Sequence, residues 1–349
     1  MVELRTFEGD AEEASHFING VWQDRYGKKL PLAVWDARFF DWLLFREGQA
    51  PRDYLVAAYD GGRLVGTLFA EPARLRVGTR EVDGTYGSWA SVAPSHRGQG
   101  IGGKLAEELF RRHRDRGAML TLGCVAAGTD GPGFWKQTEH ARILGGMGLW
   151  VHVFDAQALA RWSMNASERA LFTMARPFLR HRFRQASGQD IRPYRPSDLP
   201  RCMALLQRMM APVTLGYTYT AQRLAHQLQY RDVPHTFVLE QAGEVQGFVN
   251  SYPMRMTGRE TMTAEVVDLM AFADSVSHDD RRRLLQVAMQ DMERRGASCA
   301  AMLRSPCIPA SLMWRSGWVP FPGGAKVTCL LPSPQLELPA SPCVFTHLR

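Results

Sequence analysis

The sequence predicts a mixed α/β (α+β) chain in which one unit occurs twice. Three observations predict it. A Gly-rich loop, Arg97-Gly-Gln-Gly-Ile-Gly-Gly103, follows an apolar strand and opens into a helical run. Around that loop, runs of period two alternate with runs of period 3.6, placing helices among the strands of an antiparallel meander. The same order then recurs in the second half, with the loop replaced. A length of 349 residues also favours two cores over one.

In the first unit, residues 1–155, Leu4 to Phe7 reads as a short strand. Asp10 is suited to cap a helix carrying Ala14, Phe17, Ile18 and Val21 on one face. A polar and aromatic loop, Trp22 to Pro31, leads to a second helix expected over Ala33 to Phe45. Tyr54 to Tyr59 and Arg63 to Phe69 form a hairpin about Asp60-Gly61-Gly62. Ala73 to Val77 and Tyr86 to Val92 continue the meander. The helix that opens at Lys104 ends at Gly117, a residue free to take the left-handed backbone of a helix end. Met119 to Val125 is a strand, Pro132 to Gln137 a short helix, and Gly148 to Phe154 a last strand.

Residues 156–188 read as a basic helical linker, with Leu159, Trp162, Leu171, Phe172, Phe178 and Leu179 apolar and the densest cationic run at Arg176 to Arg184. Residues 189–349 repeat the first unit. Ile191 to Asp198 mirrors the first strand and cap, Phe237 to Val249 the hairpin, Val266 to Phe272 the strand before the loop, and Arg281 to Arg295 the helix. Where the first unit has its glycines, this one has Ser275-Val-Ser-His-Asp-Asp-Arg281. Asp279 and Asp280 stand where an anion would approach, so like charges repel it there. The tail from Pro332 is expected to be extended.

Composition narrows the classes of function. Hydrophobic residues make up 45% and charged residues 22%, the balance of a water-soluble globular chain. No apolar run reaches the length of a membrane span, and Met1 to Asp10 carries no signal-peptide core. Six scattered cysteines without a C-x-x-C pair suit free thiols in a reducing cytoplasm and speak against a structural zinc, so no metal is expected. The net charge of +7 suits an anionic cofactor; nucleic acid is disfavoured, because the Arg176 cluster lacks regularly interleaved aromatics.

The loop itself has a physical use. Glycines let a diphosphate approach the backbone, and the first N–H groups of the helix are unpaired and at the positive end of its dipole. The pattern is neither G-x-G-x-x-G nor a P-loop, since Gly103-Lys104 is followed by Leu105. Val92-x-Pro94 followed by Arg97-x-x-Gly100-x-Gly102 resembles instead the acyl-CoA loop of the GCN5-related N-acetyltransferase (GNAT) superfamily, V-x-P and then Q/R-x-x-G-x-G/A. The resemblance implies two tandem GNAT folds, each a mixed, mostly antiparallel twisted sheet flanked by helices. The tandem plan is similar to the enhanced-intracellular-survival-type acetyltransferases, without their third, sterol-carrier-like domain.

That resemblance carries further expectations. Acetyl-CoA or another acyl-CoA is the co-substrate, held by Val92, Ala93, Pro94, Arg97, Gly98, Gln99, Gly100, Ile101, Gly102 and Gly103. The pantetheine arm enters a gap between the Val92 strand and the Met119 to Val125 strand, and the Val92 N–H polarises the thioester carbonyl. An unidentified amine then attacks. The family's usual proton donor, a Tyr on the short last helix, is replaced by Trp135 beside the cofactor, and by Trp314 in the second copy. Candidate acid–base groups are Tyr86 and Glu81, then Asp83, Glu139 and His140; Asp24 and Tyr26 are candidates for a cationic acceptor. His96 is expected on the solvent side of the turn. The second copy is expected to shape the first cleft. The reading from another class is a sensor that binds acyl-CoA without transfer. Oligomeric state is left open, with a homo-oligomer allowed.

Overall fold

The computed structural model describes residues 1–46, 51–175, 190–331 and 336–348. The chain starts with β1 (Val2–Thr6) and α1 (Ala11–Tyr26). The Asp10 carboxylate caps α1 by accepting from Glu13 N–H at 2.9 Å. Ala14, Ile18, Trp22 and Tyr26 follow one another at every fourth residue, so the helix runs on through what was expected to be the start of a loop. Next come β2 (Leu32–Val34), α2 (Ala37–Phe40) and a π turn at Asp41–Phe45. The helix expected from Ala33 begins four residues late, because Leu32–Val34 is drawn out along a strand of the second half. Asp36 caps the shortened helix through Phe39 N–H.

β3 (Leu55–Asp60), β4 (Arg63–Val77) and β5 (Arg80–Val92) form the antiparallel meander, with β1 on the outer edge of β3. A 3-10 turn at Pro94–His96 leads to α3 (Ile101–Arg116). Ile101, Leu105, Ala106, Leu109 and Phe110 of α3 pack on Val56, Ala58, Leu68 and Ala70 of the sheet. Gly117, at φ +72°, ends the helix. β6 (Thr121–Ala126), α4 (Gly131–Gln137) and β7 (Ala141–Val153) complete the first half. The expected linker helix is two helices, α5 (Ala156–Trp162) and α6 (Ala166–Ala175), broken at Ser163, whose hydroxyl bonds to Glu168. The cluster Arg176 to Arg184, with Phe178 and Leu179, lies outside the described residues, as do Pro332 and Pro334.

The second half repeats the plan: β8 (Ile191–Pro193), α7 (Leu199–Met209), β9 (Leu215–Thr218), α8 (Ala221–Leu228), β10 (His235–Gln241), β11 (Glu244–Thr257), β12 (Thr261–Phe272), α9 (His278–Arg294), β13 (Cys299–Leu303), α10 (Ala310–Arg315) and β14 (Val319–Leu330). A short β15 (Val344–Phe345) pairs with β9.

All these strands belong to one sheet, whose main path among the described residues is β1-β3-β4-β5-β6-β14-β7-β13-β12-β11-β10-β8. The halves have traded last strands. β14 lies against β6 of the first half, and β7 lies against β13 of the second. One continuous sheet therefore runs across residue 155, where the repeat was expected to divide. The sheet is mostly antiparallel, with parallel pairs at β5–β6, β12–β13 and β9–β15.

Candidate functional site

The parallel pairing of β5 with β6 is short. It covers Thr85–Thr121, Tyr86–Leu122 and Gly87–Gly123, and then stops. Beyond Gly87 and Gly123 the strands diverge, and a cleft of about 270 Å³ opens between them. Its walls come from Trp89 to Val92 on one strand and Cys124 to Ala126 on the other. Leu105, Leu109 and Trp135 close one face of the sheet there; Val21, Trp22, Arg25 and Tyr26 of α1 close the other.

The glycines explain the fork. A Cβ on Gly123 would stand 2.3 Å from the Gly87 carbonyl oxygen, and one on Gly87 would stand 2.7 Å from a Thr121 methyl. Only bare backbone lets the strands close at the vertex. At that vertex His113 of α3 gives its Nδ1–H to the Leu109 carbonyl, and its Nε2 lies 2.9 Å from both the Thr85 and the Thr121 hydroxyl, which are themselves 2.9 Å apart. Burial pushes the His113 pKa down to about 4, so the ring is neutral.

Trp89 takes φ +55°, a conformation rare for a bulky residue, where the β4–β5 register slips. After the slip the backbone is regular again. Ala93 N–H donates to the Val65 carbonyl at 2.9 Å, so strand alternation turns the Val92 N–H to the opposite edge, toward the fork.

The Gly-rich loop lies at the mouth. Gly98 (φ +77°) and Gly100 (φ +74°) use the left-handed backbone that glycine alone takes cheaply, and Gly100 stands at the helix N-cap with no side-chain cap. Gly98, Gln99, Gly100 and Gly103 are exposed. No acidic residue occupies the first turn of α3. Gly102 faces Phe134, which a Cβ would meet at 3.1 Å. Ile101 points the other way, into the core under α3. Ala93 and Pro94 shape the turn, and Gln99 holds it by donating to the Ser95 carbonyl at 3.2 Å. Arg97 is not free at rest: it pairs with Asp24 at 3.0 Å, tying the loop to α1. His96 pairs with Asp60 at 3.3 Å, at the edge of the turn.

The expected acid–base groups are scattered. Glu81 is eleven residues before Val92 on β5, roughly 36 Å away at strand spacing, and pairs with Arg76. Asp83 is exposed and pairs with Arg74. Tyr86 is buried, its hydroxyl donating to the His347 carbonyl at 2.7 Å beneath the C-terminal segment. Glu139 and His140 are exposed at the turn into β7, where His140 takes φ +61°. None of these five lines the cleft. Their sequence positions suggested proximity, but β5 is one long strand whose far end carries the acids. Tyr26 does line it, receiving a hydrogen bond from Asp130 N–H at 3.1 Å. Trp135 is buried against Phe134 and forms part of the wall.

Sequence reading missed five contributors, Trp22, Arg25, Asp130, Thr328 and Leu330. Trp22, read as loop, donates its indole N–H to Ser91 Oγ at 3.0 Å and so anchors α1 to β5. Its spacing from Ile18 was the available signal. Arg25 and Asp130 pair at 2.8 Å, joining α1 to the start of α4. Thr328 and Leu330 reach the cleft from β14, so the second half builds part of the first half's wall. No group of side chains able to hold a metal occurs among the described residues.

Comparisons with known proteins agree with this geometry. The model of the acetyltransferase (GNAT) domain matches residues 5–129, which include the loop and both forked strands. No curated protein sequence matches the chain. Among solved structures, Saccharomyces cerevisiae N-myristoyltransferase with bound myristoyl-CoA is similar in fold, with a TM-score of 0.76 at 13% identity, over 99% of this chain and 89% of that one. GCN5-related N-acetyltransferases from Kribbella flavida (TM-score 0.53, 17% identity, 95% of this chain and 71% of that one) and Anabaena variabilis (0.57, 10%, 95% and 73%) are similar as well. The family match spans the loop and the fork, so residues 5–129 resemble a GNAT acetyltransferase domain, and the whole chain shares the fold of these GNAT-type structures.

Proposed function

We propose that the protein is an acyl-CoA-dependent N-acyltransferase that uses acetyl-CoA or a similarly short acyl-CoA. The observation that carries this reading is the open fork beside an exposed, uncapped helix N-terminus. The diphosphate would lie on the N–H groups of residues 98–103, where the α3 dipole and Arg97 favour it. Arg97 would exchange Asp24 for phosphate. The pantetheine arm would run into the fork and pair with the open strand edges as an added strand does. The thioester carbonyl would meet the Val92 N–H, which stabilises the negative charge that develops on oxygen as the amine attacks.

Trp135 favours a second reading, since an indole is no proton donor to a departing thiolate. In that reading the protein binds acyl-CoA as a sensor. Free thiol followed with acetyl-CoA and a broad panel of amines decides between them. Amine-dependent thiol release is expected. Acetyl-CoA binding by calorimetry without release from any amine would establish the sensor, and no binding at all would remove both readings.

A further inference from the structure

We infer that the acceptor is an amine already neutral at pH 7, carried on a flat apolar body, such as an arylhydrazine or aromatic amine. This inference rests on the transferase reading of the same cleft.

The charge balance points that way. Among the described residues lining the cleft, the charged side chains are Arg25, Arg97 and Asp130. Asp130 is held by Arg25 at 2.8 Å, and Arg97 by Asp24, which does not itself line the cleft. With Arg97 given over to the diphosphate, the charged groups left to meet an ammonium inside the cleft are Arg25 and the Asp130 carboxylate already paired with it, and Asp24 is not part of the lining. The remaining titratable groups are Tyr26 and Cys124. Neither is poised to take a proton at neutral pH, because burial raises both. The Arg25 pair holds Asp130 below the usual carboxylate range, which makes it a poor base.

The walls point to the body of the acceptor. Tyr26 and Trp22 of α1, Trp35 from the turn between β2 and α2, and Trp89 of β5 form an edge-to-face series with centroids 5.7, 5.1 and 6.4 Å apart. Trp22, Tyr26 and Trp89 of this series line the cleft. Trp22 is fixed by its bond to Ser91, so it presents a rigid face on which a planar group can stack.

The chemistry then balances without a protein base. The nitrogen lone pair of the neutral amine attacks the thioester carbon, a C–N bond forms and the C–S bond breaks. The proton lost from nitrogen ends on the departing sulfur, directly or through water, giving an amide and free CoA thiol. An amine as basic as a lysine side chain is neutral in only about one molecule in 2,500 at pH 7, and a weak base is neutral throughout.

The test uses the full chain, acetyl-CoA and three probes, with thiol release corrected for the uncatalysed rate. Phenylhydrazine is flat and weakly basic, benzylamine flat and strongly basic, and n-butylamine strongly basic with no ring. At pH 7 phenylhydrazine should exceed benzylamine in kcat/KM by about 100-fold or more. Its rate should be flat from pH 7 to 9, while that of benzylamine rises about tenfold per pH unit. Trp22→Ala should raise KM for phenylhydrazine about tenfold at little cost in kcat, and Trp22→Phe should restore most of it. Equal rates for benzylamine and phenylhydrazine at pH 7, or a flat benzylamine profile, would overturn the inference and leave the transferase reading standing. Thiol release from none of the three or from a wider amine panel, with acetyl-CoA still bound, would overturn both.

Discussion

Two helices hold equivalent places in the two halves, and their first turns are opposites. α3 begins at Gly100 with no side-chain cap and no acid in its first turn. α9 begins at Ser277, whose hydroxyl accepts from Asp280 N–H at 3.1 Å and donates to the Asp280 carboxylate at 2.8 Å. Asp279 and Asp280 fill its first turn, and Arg283 and Gln241 bind Asp280 in turn. Every helix start leaves N–H groups that need partners. In α9 the Ser277 hydroxyl supplies one of them; in α3 no side chain does. The proposed diphosphate site rests on that difference together with the forked cleft beside α3.

The largest break in this contrast is Gly100→Glu. A side chain at φ +74° is strained, and its carboxylate would stand on the phosphate path. Acetyl-CoA affinity, measured by calorimetry, should fall more than about 100-fold, with thiol release lost in proportion. A milder version is Gly103→Asp, which gives α3 an acid like those of α9. A Cβ at Gly103 meets nothing within 4 Å, so the fold should accept it. Acetyl-CoA binding should weaken about tenfold while the melting temperature holds or rises, because an acid favours the helix end.

The halves should behave alike in acid. His113 in the first half and His226 and His235 in the second are each pushed down to about 4, mainly by burial. In the unfolded chain each titrates near 6.5, so between these values the unfolded state binds more protons. Stability is full above about pH 6.5 and drains as pH falls toward 4. Thermal melts at pH 7, 6 and 5 should show a steadily falling midpoint, less steeply in His113→Gln. A midpoint unchanged over that range would contradict the neutral His113 at the fork. The smallest effect is Ser277→Ala, which should cost about 1 kcal/mol of stability in urea melts and leave acetyl-CoA binding unchanged.

What the sequence could say about itself was local. Gly98, Gly100 and Gly117 sit at positive φ where turn and cap chemistry demand glycine, and the repeat was visible in strand and helix order. Partner choice was not visible. Nothing in the apolar alternation of Val319–Leu330 says that it belongs beside Thr121–Ala126 rather than in its own half, since either edge buries the same side chains. The same holds for Leu32–Val34, whose edge pairing overrode a helical pattern. Glu81 looked close to Tyr86 and Val92 on paper, but a strand separates residues by about 3.3 Å each, and only those at the fork end share the cleft. Trp22 was legible by its spacing and overlooked because polar neighbours made the segment resemble a loop.

The exchange of β7 and β14 makes the two repeats mutually dependent. Thr328 and Leu330 are encoded more than two hundred residues after Val92, yet they border the same cleft. The second half is thereby part of the scaffold of the first half's cleft. Drift in its core should then appear as changed ligand affinity at that cleft.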